Sequence, residues 1–181
     1  MEVNLETTID LLDRTPRVLS ALLRDLPDTL THANESGETW SVLDVVGHLI
    51  HADLTDWMTR AQWIMEFGDS KQFPPFDREG HRQNIAGKAL PQLLDEFSRV
   101  RAEKLNELRS LELKPEDYSR IGWHPGLGTV TLGQLLATWA AHDLNHLHQI
   151  SRIMAHQLRE ATGPWQKYLG VMHCNGHGAA A

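Results

Sequence analysis

Apolar residues recur at helical spacing along four stretches of this chain, and glycine and proline collect between them. The first stretch runs from about Asn4 to Leu26, with Leu5, Ile9, Leu12, Leu19, Leu22, Leu23 and Leu26 near one face. Thr15-Pro16 falls inside it and predicts a kink or a second helix start, with Pro16 in a first turn. The second stretch opens at Ser41, where Asp44 three residues on completes a capping-box-like pair, and it continues to about Phe67. A third spans roughly Leu90 to Leu111; its Glu103, Lys104, Glu107 and Arg109 read as a solvated face. The fourth starts at Thr131, with Gln134 at the reciprocal capping position, and extends to about Arg159 before Gly163-Pro164 stops it. Trp165 to Val171 has room for one more short turn.

The joint from Gly68 to Gly87 carries Pro74-Pro75 and is too rich in turn formers to be regular throughout. A second joint, Lys114 to Val130, holds Trp123-His124-Pro125-Gly126 and reads as a loop that could cover a site. No segment of comparable length alternates with period two. Four long amphipathic helices bury their stripes most simply as an all-α four-helix bundle, with the long connection between helices 2 and 3. The expected organisation is one domain over residues 1–172 and a flexible tail over 173–181.

Charge and composition narrow the chemistry. With 24 acidic against 17 basic side chains the formal balance is −7, which argues against nucleic acid as a partner. A single cysteine excludes a disulfide framework and any multi-thiolate zinc module. The acidic start of the chain lacks the basic and apolar regions of an export signal, and the uncharged run Ile121 to Ala141 is too rich in glycine for a membrane span. A cytoplasmic protein without membrane contact is expected. Eleven histidines stand out: protonating all of them would move the balance from −7 to +4, so imidazole is the side chain to follow.

Phase separates these histidines. At about 100° per residue from Trp139, Leu132 and Ile150 lie near +20° and Leu135 and Ile153 near −40°. His142 falls at about −60° and His146 at about −20°, so both imidazoles leave the core-facing stripe one turn apart, the arrangement that lets two helical histidines share a metal ion. His148 falls near 180°, toward solvent. In the second helix His48 lies opposite the arc of Leu43, Val46, Ile50, Trp57, Ala61 and Ile64, on a strip with Ser41, Asp44, Ala52, Thr55 and Thr59. Periodicity alone makes it solvent-facing, a small polar strip equally suits a cavity wall, and His51 competes from about 60° away.

At these residues the chain resembles the DinB/YfiT-like superfamily of small bacterial four-helix proteins. The resemblance rests on Trp40-Ser41-Val42-Leu43-Asp44-Val45-Val46-Gly47-His48-Leu49, on His142-Asp143-Leu144-Asn145-His146, and on Gly163-Pro164-Trp165 followed by Tyr168-Leu169. It implies a metal triad of one histidine from the second helix and the H-x-x-x-H pair of the fourth, falling on His48, His142 and His146. It also implies a homodimer and divided activities: some members use low-molecular-weight thiols to transfer or isomerise substrates, and others are metal-dependent hydrolases.

Three neutral imidazoles leave a divalent ion an open position; zinc suits the set best, with nickel and iron as alternatives. Such an ion acidifies either water, giving a hydrolase, or a thiol cosubstrate, giving an S-transferase, in both cases on a small molecule. A non-catalytic metal- or ligand-binding bundle is the alternative. Asp44, one turn before His48, and Asp143, beside His142, are candidates to orient a ligand or accept a proton, against helix capping and solvation as simpler roles. Trp165 and Tyr168 could close one end of a pocket, and His173, Cys174 and His177 have metal-like spacing on an unsupported tail.

Overall fold

The computed structural model describes residues 4–174, so His177 and most of the expected tail lie outside the described residues. Four helical arms form the bundle. Helix α1 (Leu5–Leu23) is capped by the Asn4 side chain, which accepts from the Thr7 amide. The second arm is α2 (Val42–Thr55) followed by α3 (Trp57–Phe67), the third is α4 (Leu90–Ser110), and the fourth is α5 (Leu132–Gln157). Both predicted capping boxes form, Ser41 with Asp44 and Thr131 with Gln134. The core has two lobes, one around Leu12, Trp57 and Trp139 and one around Leu19, Val46 and Phe97. Among the described residues no helix is long and apolar enough to cross a membrane.

Three expectations change. α1 runs unbroken through Pro16, with no second start. Proline lacks the amide hydrogen that would bond the carbonyl four residues back, and that carbonyl, Leu12, accepts instead from Arg101 Nη1 at 2.8 Å. The second arm breaks at Asp56 (φ −114°, ψ −69°), although Asp56 N–H still donates to Ala52 and Arg60 N–H to Asp56. Thr55 Oγ1 donates to the His51 carbonyl at 2.8 Å, a back-bond that bends helices.

The second joint contains an antiparallel hairpin, β1 (Ile121–His124) with β2 (Gly128–Thr131), paired Ile121 to Thr131 and Trp123 to Thr129. Strands of four residues are too short to reveal a period of two. His124 Nδ1 ties the turn by accepting from the Gly126 and Leu127 amides, and Gly128 supplies the positive φ that the turn needs. The hairpin packs on α3 and joins the first joint through the Phe73 amide, which donates to the Trp123 carbonyl. The long connection from Gly68 to Ala89 is itself docked on α2. A short helix, His81–Ile85, lies against it so closely that a Cβ on Gly47 would stand 2.2 Å from Ile85 Cγ2.

Candidate metal centre

Two arms build the site. α2 is covered on nearly every side: from Val42 to Asp53 every residue except Asp44 is buried, because α4 and α5 pack on the bundle face and the 81–85 helix covers the opposite one. His48 therefore stands buried on the strip that periodicity assigned to solvent. α5 supplies His142, half-buried, and His146, buried, on successive turns.

The three imidazoles converge through their Nε2 atoms. His48 Nε2 lies 3.2 Å from His142 Nε2, His142 Nε2 lies 3.0 Å from His146 Nε2, and one nitrogen from each ring falls within 4.8 Å of the other two. An ion at about 2.1 Å from two nitrogens so spaced would subtend roughly 90–100° between them, within the range of octahedral to tetrahedral coordination. The donor chemistry fits as well. One N–H on His142 cannot satisfy two neighbouring nitrogens at once, whereas a shared cation attracts all three lone pairs. Burial, reinforced by the adjacent imidazoles, pushes His48 down to about 2 and His142 down to about 3, so both rings are neutral ligands near pH 7.

Aromatic rings and polar groups fix the triad. Trp40 packs on His48 with centroids 4.9 Å apart and stacks along His146 at 6.4 Å, Phe76 meets the His48 ring edge-on, and Trp57 meets His142 at 5.1 Å. Gln149, buried on α5, brings its Oε1 to 2.7 Å from His146 Nδ1. Periodicity could have suggested it, since it follows His146 by three residues on the core-facing side. His51, the competitor, points elsewhere: its Nε2–H donates to the Asp77 carbonyl at 2.9 Å, and a Cβ on Gly80 would meet its ring at 2.6 Å. His81, fully buried, donates from Nδ1 to the Arg78 carbonyl. Two histidines thus clamp the 77–81 segment beside the triad, and the cover over His48 comes from the first joint.

The acidic candidates have other partners. Asp44 Oδ2 accepts from the Ser41 amide and hydroxyl, and Oδ1 lies 3.6 Å from His81 Nε2. That imidazole, with the Ser41 contacts, outweighs burial and holds the carboxyl at about 2. Asp143 turns both oxygens to Arg101, at 2.5 and 3.1 Å. Arg101 was missed in the sequence because a lone arginine on a charged helix reads as solvated, yet it is 1% exposed and all its donors are used. Nε and Nη2 donate to Asp53, Nη1 and Nη2 to Asp143, and Nη1 to the Leu12 carbonyl, so one side chain joins all four arms. Burial opposes the guanidinium charge, but the two carboxylates outweigh it and raise its pKa; burial pushes Asp53 up to about 6 against the pull of Arg101.

The remaining candidates are dispersed. Trp165 and Tyr168 are each 70% exposed and pack on one another, and no contact among the described residues joins either to the triad. His173 Nε2 donates to the Gln166 carbonyl, while half-buried Cys174 has its Sγ 3.2 Å from His148 Nε2.

Fold and site together define a four-helix-bundle protein with an inward-facing three-histidine cluster shared by two arms. The chain belongs to the DinB superfamily, whose family model matches residues 11–150. Among solved structures it is similar to YfiT from Bacillus subtilis, described as a probable metal-dependent hydrolase with an unusual four-helix bundle topology. The identity there is 20%, each chain is covered over 87% of its length, and the TM-score is 0.69. It is also similar to TT2238, a four-helix bundle protein, at 21% identity and TM-score 0.53, over 80% of this chain and 95% of that one. No curated protein matches the sequence.

Proposed function

We propose that this protein is a divalent-metal-dependent enzyme acting on a small molecule, with His48, His142 and His146 as the metal ligands and zinc as the ion best suited to them. The observation that carries the reading is the convergence of three Nε2 atoms, at 3.0 and 3.2 Å, from two bundle arms. Bound there, a divalent ion supplies a Lewis acid that acidifies a water or a thiol. The protein's own groups supply the rest. The triad presents three ligands and leaves coordination positions open to substrate. Trp40, Trp57 and Phe76 exclude bulk water from the ligand rings, which strengthens electrostatic interactions within the site. Asp44 acts through His81, keeping that imidazole against Trp40 beside His48, and Asp143 acts through Arg101 by fixing the α5 arm.

Hydrolysis of an ester or amide is the leading reaction, supported by the fold shared with a protein described as a probable metal-dependent hydrolase. Transfer to a low-molecular-weight thiol is the second reading. The one cysteine, half-buried Cys174, lies beside His148 rather than at the triad, so in that reading the thiol is brought from solution. Elemental analysis of zinc-loaded protein tests the site, with one ion per chain expected and loss of that ion in His146→Ala. A panel of esters and amides, run with and without several small thiols, tests the activity. Loaded protein that turns over none of them would replace the enzyme reading with a metal-binding one.

A further inference from the structure

The three imidazoles are held unequally. His48 Nδ1 and His142 Nδ1 are buried with no hydrogen-bond partner among the described residues, whereas His146 Nδ1 faces Gln149 Oε1 at 2.7 Å. Gln149 is 4% exposed and lies on the same helix, three residues on, with its amide oxygen turned toward the ring. An amide oxygen only accepts, so the proton of a neutral His146 ring must reside on Nδ1. Its lone pair is then on Nε2, 3.0 Å from His142 Nε2 and inside the triad.

We infer that Gln149 is a positioning residue that fixes both the tautomer and the ring orientation of His146, making this the pre-set ligand onto which the other two close. The inference rests on the proposed metal site for its consequence, but the tautomer itself is a property of the metal-free protein. His48 and His142 have no partner at Nδ1 among the described residues, so nothing outside the triad fixes which of their nitrogens carries the proton. With the Gln149 oxygen toward the ring, moving the His146 proton to Nε2 would turn a lone pair toward that oxygen, a buried contact between two acceptors. A free imidazole favours the other tautomer, with the proton on Nε2, where it would block coordination, so Gln149 supplies a bias that the ring lacks by itself. Outer partners of this kind typically change metal affinity by about 10- to 100-fold when removed.

The test uses the full chain in three forms: native, Gln149→Leu, which keeps the volume and loses the acceptor, and Gln149→Glu, which keeps an acceptor. Nitrogen-15 NMR of the metal-free proteins reads the tautomer, and competition with a chromogenic chelator reads zinc affinity. The native protein is expected to show His146 protonated at Nδ1 only. Gln149→Leu should show a tautomer mixture and bind zinc about 10- to 100-fold more weakly, and Gln149→Glu should restore both the Nδ1 proton and the native affinity or better. An unchanged tautomer and affinity in Gln149→Leu, or the same loss in Gln149→Glu as in Gln149→Leu, overturns the assignment. If native protein takes up no zinc, the metal site fails, and the tautomer measurement still decides the role of Gln149.

Discussion

Replacing Arg101 by methionine tests whether the buried hub holds the bundle together. Methionine fills much of the space of the side-chain stem without charge or donors. The change strands Asp53 and Asp143, whose side chains are 0% and 1% exposed, and removes the donor to the Leu12 carbonyl that Pro16 leaves free. Two facing carboxylates without a cation cannot both remain ionised at such burial, so at least one must take up a proton. Neutralising a carboxyl of ordinary pKa at about pH 7 costs roughly 1.4 kcal/mol per unit over about three units, or about 4 kcal/mol. The orphaned carbonyl adds about 1–3 kcal/mol. The expected loss near neutrality is therefore about 5–7 kcal/mol, against a total stability of about 5–15 kcal/mol for an ordinary domain.

The sign of the pH dependence follows from proton linkage. The folded variant keeps a proton that the unfolded chain releases between about pH 4 and 7, so its stability falls as pH rises. Near pH 4.5 the neutralisation cost shrinks to below about 1 kcal/mol, so the variant should be about 3 kcal/mol more stable there than at about pH 7. In native protein the same trend is weaker, because Arg101 limits the rise of Asp53 to about 6. Urea unfolding followed by circular dichroism across this range gives both numbers. Arg101→Lys should lie between the two, since an ammonium restores the charge but cannot occupy five donor positions. A loss below about 1 kcal/mol near pH 7, or an equal loss at both ends of the range, would refute the hub as a charge-paired tie.

Three further outcomes are expected. Zinc at about 100 times its Kd should stabilise native protein by about 2.7 kcal/mol and raise its Tm with concentration, and the response should vanish in His142→Ala; an identical shift in both would move the binding site away from the triad. Asp44, held at about 2 by His81 and Ser41, contributes stability that is present above about pH 4 and lost as pH falls toward 2. Asp44→Asn should therefore cost on the order of 1–2 kcal/mol near neutrality and converge with native protein in acid, and a pH-independent difference would exclude the charge as its cause. Gly47→Ala places a Cβ against Ile85 and should cost about 1–3 kcal/mol; adding Ile85→Ala should recover at least about 1 kcal/mol in a double-mutant cycle, and strict additivity would show that the connection yields freely.

Most of the bundle was legible because its signals are local. Helical apolar spacing and the two capping boxes place the outer bounds of all four arms to within a few residues. The misread burial of His48 has a plain cause, which is that periodicity sees one burying surface at a time. α2 is buried on two, by the bundle and by the 68–89 connection, so His48 looked solvent-facing and only the family resemblance separated it from His51. Arg101 and Pro16 each looked unsuited to a helix interior. They are intelligible only as a pair, the donor surplus of one meeting the carbonyl freed by the other across 89 positions of sequence. The H-x-x-x-H phase on α5 was readable from a single helix, and the structure brings both rings inward to meet His48.

The hub and the triad are coupled by the geometry of α5. His142 and Asp143 are consecutive, so their side chains leave the helix about 100° apart, one toward the imidazole cluster and one toward Arg101. An imidazole nitrogen stands roughly 6–7 Å from the helix axis, so rotating α5 by about 10° would move it by about 1 Å, enough to spoil a ligand set that tolerates deviations of about 0.5 Å. The bidentate Asp143–Arg101 contact resists that rotation, and Asp53 anchors the same guanidinium to α2, the helix that carries His48. Trp139 strengthens the tie, since its Nε1 donates to Asp53 while its ring stacks on Trp57, which packs against His142. The charged core thus holds the two arms of the triad in register, and the Arg101 charge adds to the burial that keeps His142 neutral.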